Sequence, residues 1–128
     1  MLLRCDRTMI AILIMLDVAF HAGRNGTVSA ADIADRANLA RRGIEPLLQT
    51  LSRSGLLESI RGPRGGYRLG RPRRDILLSD ILEVVTADES TDGGPTGQLF
   101  EKVIEPCWKE LDDTVEKRCR KLTLDDLV

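Results

Sequence analysis

One eleven-residue stretch constrains this chain more than any other: Ser59-Ile60-Arg61-Gly62-Pro63-Arg64-Gly65-Gly66-Tyr67-Arg68-Leu69. Leu56 to Arg61 and Tyr67 to Leu69 read as short strands, and the Gly-Pro-Arg-Gly-Gly between them reads as a tight tip, so the segment is a β-hairpin. Arginines crowd it: Arg61, Arg64, Arg68, Arg71, Arg73 and Arg74 fall in a run with no acidic residue from 61 to 74. A hairpin so charged is an appendage, and its fold must come from elsewhere.

The charge of the whole chain hides how uneven it is. Formal net charge is −1, yet residues 1–78 hold 13 arginines against seven acids, and residues 79–128 hold six Lys or Arg against 13 acids. The first part is thus +6 and the second −7. Its cations are all arginine, whose planar fork suits phosphates and guanine edges. A basic first part implies a polyanion partner, and an acidic second part implies a different task.

The segments before the hairpin read as three helices. Thr8 to Ala22 is apolar almost all round and should be central. Gly23 to Gly26 is a turn. Ser29 caps a short second helix, with Asp32 completing a capping-box pattern and Ile33 and Ala34 facing inward. Ala37-Asn38-Leu39 is a tight break. A third helix then runs to about Ser54, with Ile44, Leu47, Leu48 and Leu51 at helical spacing and Gly55 as its left-handed stop. Pro46 either lies inside this helix, at a cost of about 3 kcal/mol, or marks a start near Glu45 with proline in the first turn. In the second case Arg41 and Arg42 sit on the turn, nearer phosphates than bases.

Beyond the hairpin, Ser79 should cap a helix to about Ala87, and Asp88 to Gly97 reads as a polar loop. A long helix follows, with Phe100, Ile104, Trp108, Leu111, Val115, Cys119 and Leu122 three and four residues apart. Such a stripe on a charged helix seeks a partner. With only Trp108, Tyr67, Phe20 and Phe100 as aromatics, the core must come from Leu, Ile, Val and Ala.

Two short helices joined by a tight turn, followed by an arginine-rich hairpin, form the layout of a winged helix-turn-helix. In such a fold the second helix of the pair enters the major groove and the first crosses the backbone. Ser29, at a helix N-terminus, is placed for a phosphate. The hairpin can lie along the minor groove, where the potential is most negative.

The same residues resemble the Rrf2 family of bacterial winged helix-turn-helix regulators. The resemblance rests chiefly on the hairpin signature quoted above. Ile33-Ala34, Ile44-Glu45, Leu47-Leu48, Leu51, Gly55-Leu56, Trp108 and the closing Thr123-Leu124-Asp125-Asp126-Leu127 add to it, so it spans nearly the whole chain. It implies a mainly α fold with a two-stranded β wing and a long C-terminal dimerisation helix. Residues 1–78 would be the DNA-binding region and 79–128 the connecting helix, loop and dimerisation helix, packed as one unit. It implies a sequence-specific, homodimeric repressor or activator on a palindromic operator of double-stranded DNA. Arg61 would enter the minor groove, with Arg64 beside it, and Arg41, Arg42, Glu45 and Gln49 would face the major groove. Glu45 could accept from a cytosine amino group or simply pair with Arg41. The dimer would be built on Ile104, Trp108, Leu111, Val115 and Leu122.

Iron–sulfur members of that family carry three cysteines between the Ser79 helix and the long helix, and residues 87–103 here contain none. No cofactor is therefore expected. Cys107 and Cys119 read as small hydrophobes, and Cys5, beside Arg4 and Arg7, as a possible redox-sensing thiol. Three widely spaced cysteines make no disulfide framework and fit a reducing cytoplasm. The apolar run from Met9 to Leu16 is too short for a bilayer, and Asp17 and His21 spoil it as a signal peptide. His21 reads as structural.

An enzyme is not expected. The lone histidine has no nucleophile at a recognisable spacing, and Gly62 to Gly66 lacks the Lys-Ser/Thr ending of a phosphate loop. A second reading, a winged-helix module gripping an acidic protein, is separated from the first by salt-dependent binding to duplex DNA.

Overall fold

The computed structural model describes residues 5–23, 25–87 and 96–128. Most of the 88–97 loop, Arg24 of the first turn and the side chain of Cys5 lie outside the described residues.

Helix α1 (Cys5–His21) passes through the middle of the fold. Ala11, Ile14, Met15, Val18 and Ala22 are buried at helical spacing, and they pack against everything that follows. Its outer side is less covered than an all-apolar helix suggests. Met9, Leu13 and Phe20 remain exposed, at spacings of four and seven that place them on one face.

Ser29 begins α2 (Ala30–Ala37), its Oγ accepting from the Asp32 N–H at 3.1 Å. Asn38 ends the helix with φ 55°, and its neighbour Leu39 donates back to the Ala34 carbonyl at 3.0 Å. This is the expected tight break, made by a residue that tolerates the left-handed region. The Arg36 guanidinium grips both oxygens of Asp17 at 2.8 Å and so ties α2 to α1. That pairing raises the guanidinium pKa further.

Helix α3 runs from Arg41 to Arg53 with Pro46 inside it. A start near Glu45 is therefore excluded, and Arg41 and Arg42 belong to the first helical turn. Pro46 cannot donate to the Arg42 carbonyl, so the ladder loses one bond. The helix persists because Ile44, Leu47, Leu48 and Leu51 are buried along its other side, where packing outweighs propensity. Gly55 closes it at φ +86°.

Strands β1 (Leu57–Ile60) and β2 (Gly66–Leu69) form the wing, antiparallel, pairing Leu57 with Leu69, Glu58 with Arg68, Ser59 with Tyr67 and Ile60 with Gly66. The other edge of β2 is bridged to Val28, Tyr67 and Val28 exchanging backbone bonds of 2.8 and 2.9 Å. Gly66 permits this approach: a Cβ there would lie 2.6 Å from the Val28 carbonyl oxygen. The wing is thereby fixed to the chain just ahead of α2.

A 3-10 turn (Arg73–Asp75) leads to α4 (Leu78–Ala87). The N-terminus is capped differently from the reading by sequence. Ser79 is buried inside the helix, and the Asp80 carboxylate takes the Leu77 N–H at 2.9 Å instead.

The long C-terminal helix begins with a π-helical segment (Phe100–Ile104) and continues as α5 (Glu105–Cys119). It ends before Leu122, which therefore leaves the stripe and lies in the following connection. The chain closes with α6 (Leu124–Leu127), capped by a reciprocal box between Thr123 and Asp126. There Leu78 N–H donates to Leu122 O and Leu124 N–H to Ile76 O, both at 2.8 Å, with Leu77 bridged to Thr123. Among the described residues no helix is long and apolar enough to cross a membrane.

Candidate nucleic-acid interface

The buried side of α3 dictates its free side. With Ile44, Leu47, Leu48 and Leu51 inward, Arg41, Arg42, Glu45 and Gln49 point to solvent. A groove of about 420 Å³ lies between this side, the start of α2 and the wing strands. Ser29, Arg41, Glu45 and Gln49 line it together, facing Ser59, Ile60 and Tyr67. Four residues predicted from sequence thus share one surface, while Arg42, Arg61 and Arg64 do not line it.

Ser59 and Tyr67 were not singled out by sequence, although strand alternation gives the signal. They are register partners, so their side chains share one face of the hairpin. Thr27 was also missed. Its Oγ1 donates to the Arg64 carbonyl at 2.9 Å, tethering the wing tip to the segment before α2. No local pattern announces a bond spanning 37 residues.

Electrostatics divide the wing arginines. Arg68 holds both oxygens of Glu58 at 3.1 Å across the strands, and this hydrogen bond keeps the Glu58 carboxyl below its ordinary value. Arg71 stands 4.0 Å from Asp80, and Arg73 2.7 Å from Asp125. Half of the uncompensated run is therefore compensated by acids that lie outside it in sequence. Arg61, Arg64 and Arg74 have no ion-pair partner among the described residues, and all three are exposed. These are the arginines left free for an external anion.

Arg41 and Glu45 form an ion pair of 3.2 Å, with 64% and 49% of their side-chain surface exposed. Such a pair is worth little in water, so Arg41 can exchange it for a base or phosphate, and Glu45 for a base amino group, at small cost. Ser29 Oγ already accepts from Asp32 and keeps its hydroxyl proton for an outside acceptor.

On the far helix, Leu99, Val103, Ile104 and Leu111 are exposed, and Trp108 and Val115 are half-buried. Trp108 Nε1 is buried without a hydrogen-bond partner among the described residues. Leu99 and Val103 extend the apolar stripe beyond the residues predicted for it.

The two described cysteine side chains do not fit a cluster within one chain. Cys107 and Cys119 are twelve residues apart on one helix, roughly 18 Å at 1.5 Å per residue, too far to share a metal centre. Cys107 is exposed and Cys119 buried, and burial, helped by the Glu116 carboxylate, pushes the Cys119 thiol up, away from the thiolate a metal needs. No group of three His, Cys, Asp or Glu among the described residues is placed to hold a metal ion.

Comparison with known proteins converges on one family. The profile of the Rrf2 family, described as iron-dependent transcriptional regulators, matches residues 5–128. The transcriptional regulator IscR of Pectobacterium atrosepticum is 35% identical over 124 residues, spanning 92% of this chain and 74% of its own length. Among solved structures, T. potens IscR superposes with a TM-score of 0.74 at 31% identity, over 94% of this chain and 82% of that one. CymR, the global cysteine regulator of B. subtilis, superposes with a TM-score of 0.73 at 29% identity, over 94% of this chain and 92% of its own. On wing, helix pair and C-terminal helix alike, the chain belongs to the Rrf2 family of winged helix-turn-helix transcription regulators, DNA-binding proteins and not enzymes.

Proposed function

We propose that this regulator binds a palindromic operator as a homodimer, with α3 in the major groove and the wing tip in the adjacent minor groove. The observation that carries the proposal is the shared groove of Ser29, Arg41, Glu45 and Gln49, with Arg61 and Arg64 exposed on the hairpin whose strands form one of its walls. Arg41, Arg42, Glu45 and Gln49 read base edges or adjoining phosphates. Arg61 and Arg64 lie in the minor groove, and the Ser29 end of α2 takes a backbone phosphate. Two copies pair through Ile104, Trp108, Leu111 and Val115, joined by Leu99 and Val103 and covered by the exposed side of α1; Leu122 supports the helix end. Two-fold pairing sets the reading helices about one DNA turn apart.

Selection of preferred duplexes from a random library tests this directly. The recovered sites are expected to be inverted repeats with half-sites about 10 base pairs apart, each site holding two chains. A single asymmetric half-site bound by one chain would overturn the dimeric reading.

The same proposal has the protein act without an iron–sulfur cluster, because Cys107 and Cys119 do not converge and residues 87–103 hold no cysteine. Anaerobic purification with iron and sulfide supplied should leave it colourless. Iron bound in stoichiometric amount would contradict this and implicate a ligand set drawn from two chains.

A further inference from the structure

A second concavity, of about 710 Å³, opens where the end of α1 meets the exit of the wing. It shares no lining residue with the groove assigned to DNA. Ala19 from α1, Leu69 from β2 and Pro72 from the next loop give it apolar walls above the fully buried Val18, and Arg71 and Arg73 stand among them. Its volume falls in the range of roughly 300–1,000 Å³ typical of small-ligand sites, and so does its makeup of apolar walls with a few polar anchors.

The two arginines are not saturated. Arg71 stands 4.0 Å from Asp80 Oδ2, an oxygen that already accepts from Leu77 N–H at 2.9 Å. Arg73 is held by Asp125, yet each guanidinium carries five N–H donors, more than one carboxylate can use. Both side chains keep 46% of their surface exposed. Arg68, at the same cleft, differs: Glu58 takes its fork at both oxygens and fixes it in place.

We infer that this cleft binds a small organic acid, its carboxylate gripped by Arg71 and Arg73 and its apolar body laid on Ala19, Leu69 and Pro72. Each planar guanidinium fork suits a bidentate acceptor such as a carboxylate. The apolar walls favour a ligand with a hydrocarbon portion over a bare inorganic ion or a DNA phosphate. Binding competes with Asp125 for Arg73, and Asp125 belongs to α6, which is laced to the segment entering α4. A ligand here therefore acts on the contact that joins the wing exit to the end of the C-terminal helix.

The test uses the full chain without DNA, so it stands apart from the operator reading. Linear carboxylates from acetate to octanoate are titrated by calorimetry, with inorganic phosphate and hexylammonium as comparisons. We expect one site per chain, affinity rising with chain length, and little binding of phosphate or hexylammonium. Arg71→Gln should weaken the tightest carboxylate about tenfold, as loss of a charged hydrogen-bonding partner does. Ala19→Met, which fills the floor without touching charge, should weaken it by a similar factor while phosphate is unaffected. Thermal melts confirm that both variants fold. Failure of every carboxylate to bind at millimolar concentration would overturn the site, as would binding indifferent to both substitutions. A lower salt slope of DNA binding in ligand-free Arg71→Gln would reassign Arg71 to the DNA backbone and overturn it equally.

Discussion

Residues 5–87 and the helix after residue 98 solve the problem of burial in opposite ways. Among the described residues, every buried apolar side chain except Cys119 and Leu124 lies in the first region. Its helices close over Ile14, Met15, Ile33, Ile44, Leu48 and Ile81 in one core, to which the second region adds Leu124. In the second region α5 buries only Cys119, while Leu99 is 72% exposed and Val103 57%. Burying a Val, Leu or Ile fully is worth roughly 1.5–3 kcal/mol, so this helix leaves several kcal/mol unused in a single chain. The contrast teaches that one region supplies most of the fold, while the other keeps apolar surface exposed in a single chain.

The comparison breaks first at the core. Leu48→Ala, at a fully buried position, should cost about 2–5 kcal/mol and lower the thermal midpoint of the whole chain. A variant that melts like the wild type would show the first region to be less self-sufficient than its burial implies.

Leu111→Glu probes the other region. It should leave the melt of a dilute sample nearly unchanged, convert dimers to monomers in sedimentation, and weaken operator binding by about a hundredfold as the second half-site is lost. An unaltered dimer would place the partner surface elsewhere.

Charge offers the next step down. Replacing Arg61 and Arg64 together with Ala should lower affinity for every duplex and flatten the log–log salt slope by roughly two. Arg68→Ala, whose charge is spent on Glu58, should change that slope little. Equal effects would erase the distinction between free and paired wing arginines.

The smallest effect concerns acid. The Glu58 carboxyl is held below its ordinary 4.5 by Arg68. Its contribution to stability is therefore present above that value and lost as pH falls through the lowered one. Glu58→Gln should remove this acid-side loss and leave stability near pH 7 almost unchanged, since the pair is exposed. Identical acid limbs for the two proteins would show the pair to be inert.

Much of this was legible because it is local. Asn38 ends α2 within the expected tight break, Gly55 ends α3 in the expected left-handed position, Ser29 caps α2, and the glycines of the wing tip fix the hairpin. The groove of Ser29, Arg41, Glu45 and Gln49 was legible because helical period and the cap place those residues without distant information. What escaped depends on contacts far apart in sequence. Arg71 and Arg73 look unpaired until the fold brings up Asp80 and Asp125. Pro46 sits inside α3 because burial of four neighbours outweighs one lost backbone bond. The π-helical segment at Phe100–Ile104 adds a residue to the turn, and no regular spacing announces it.

The lacing of residues 76–78 to residues 122–124 has a mechanical meaning. It closes a loop of about 46 residues, an entropic cost of roughly 3 kcal/mol, which the buried Leu124 and the two 2.8 Å backbone bonds offset. The end of α5 is thereby hinged to the strand-like entry of α4, only a few residues from the wing. Backbone bonds, and not packing alone, hold the end of α5 beside the wing exit. The clasp works as a stitch, so the end of α5 and the entry of α4 must move together for as long as its two bonds hold.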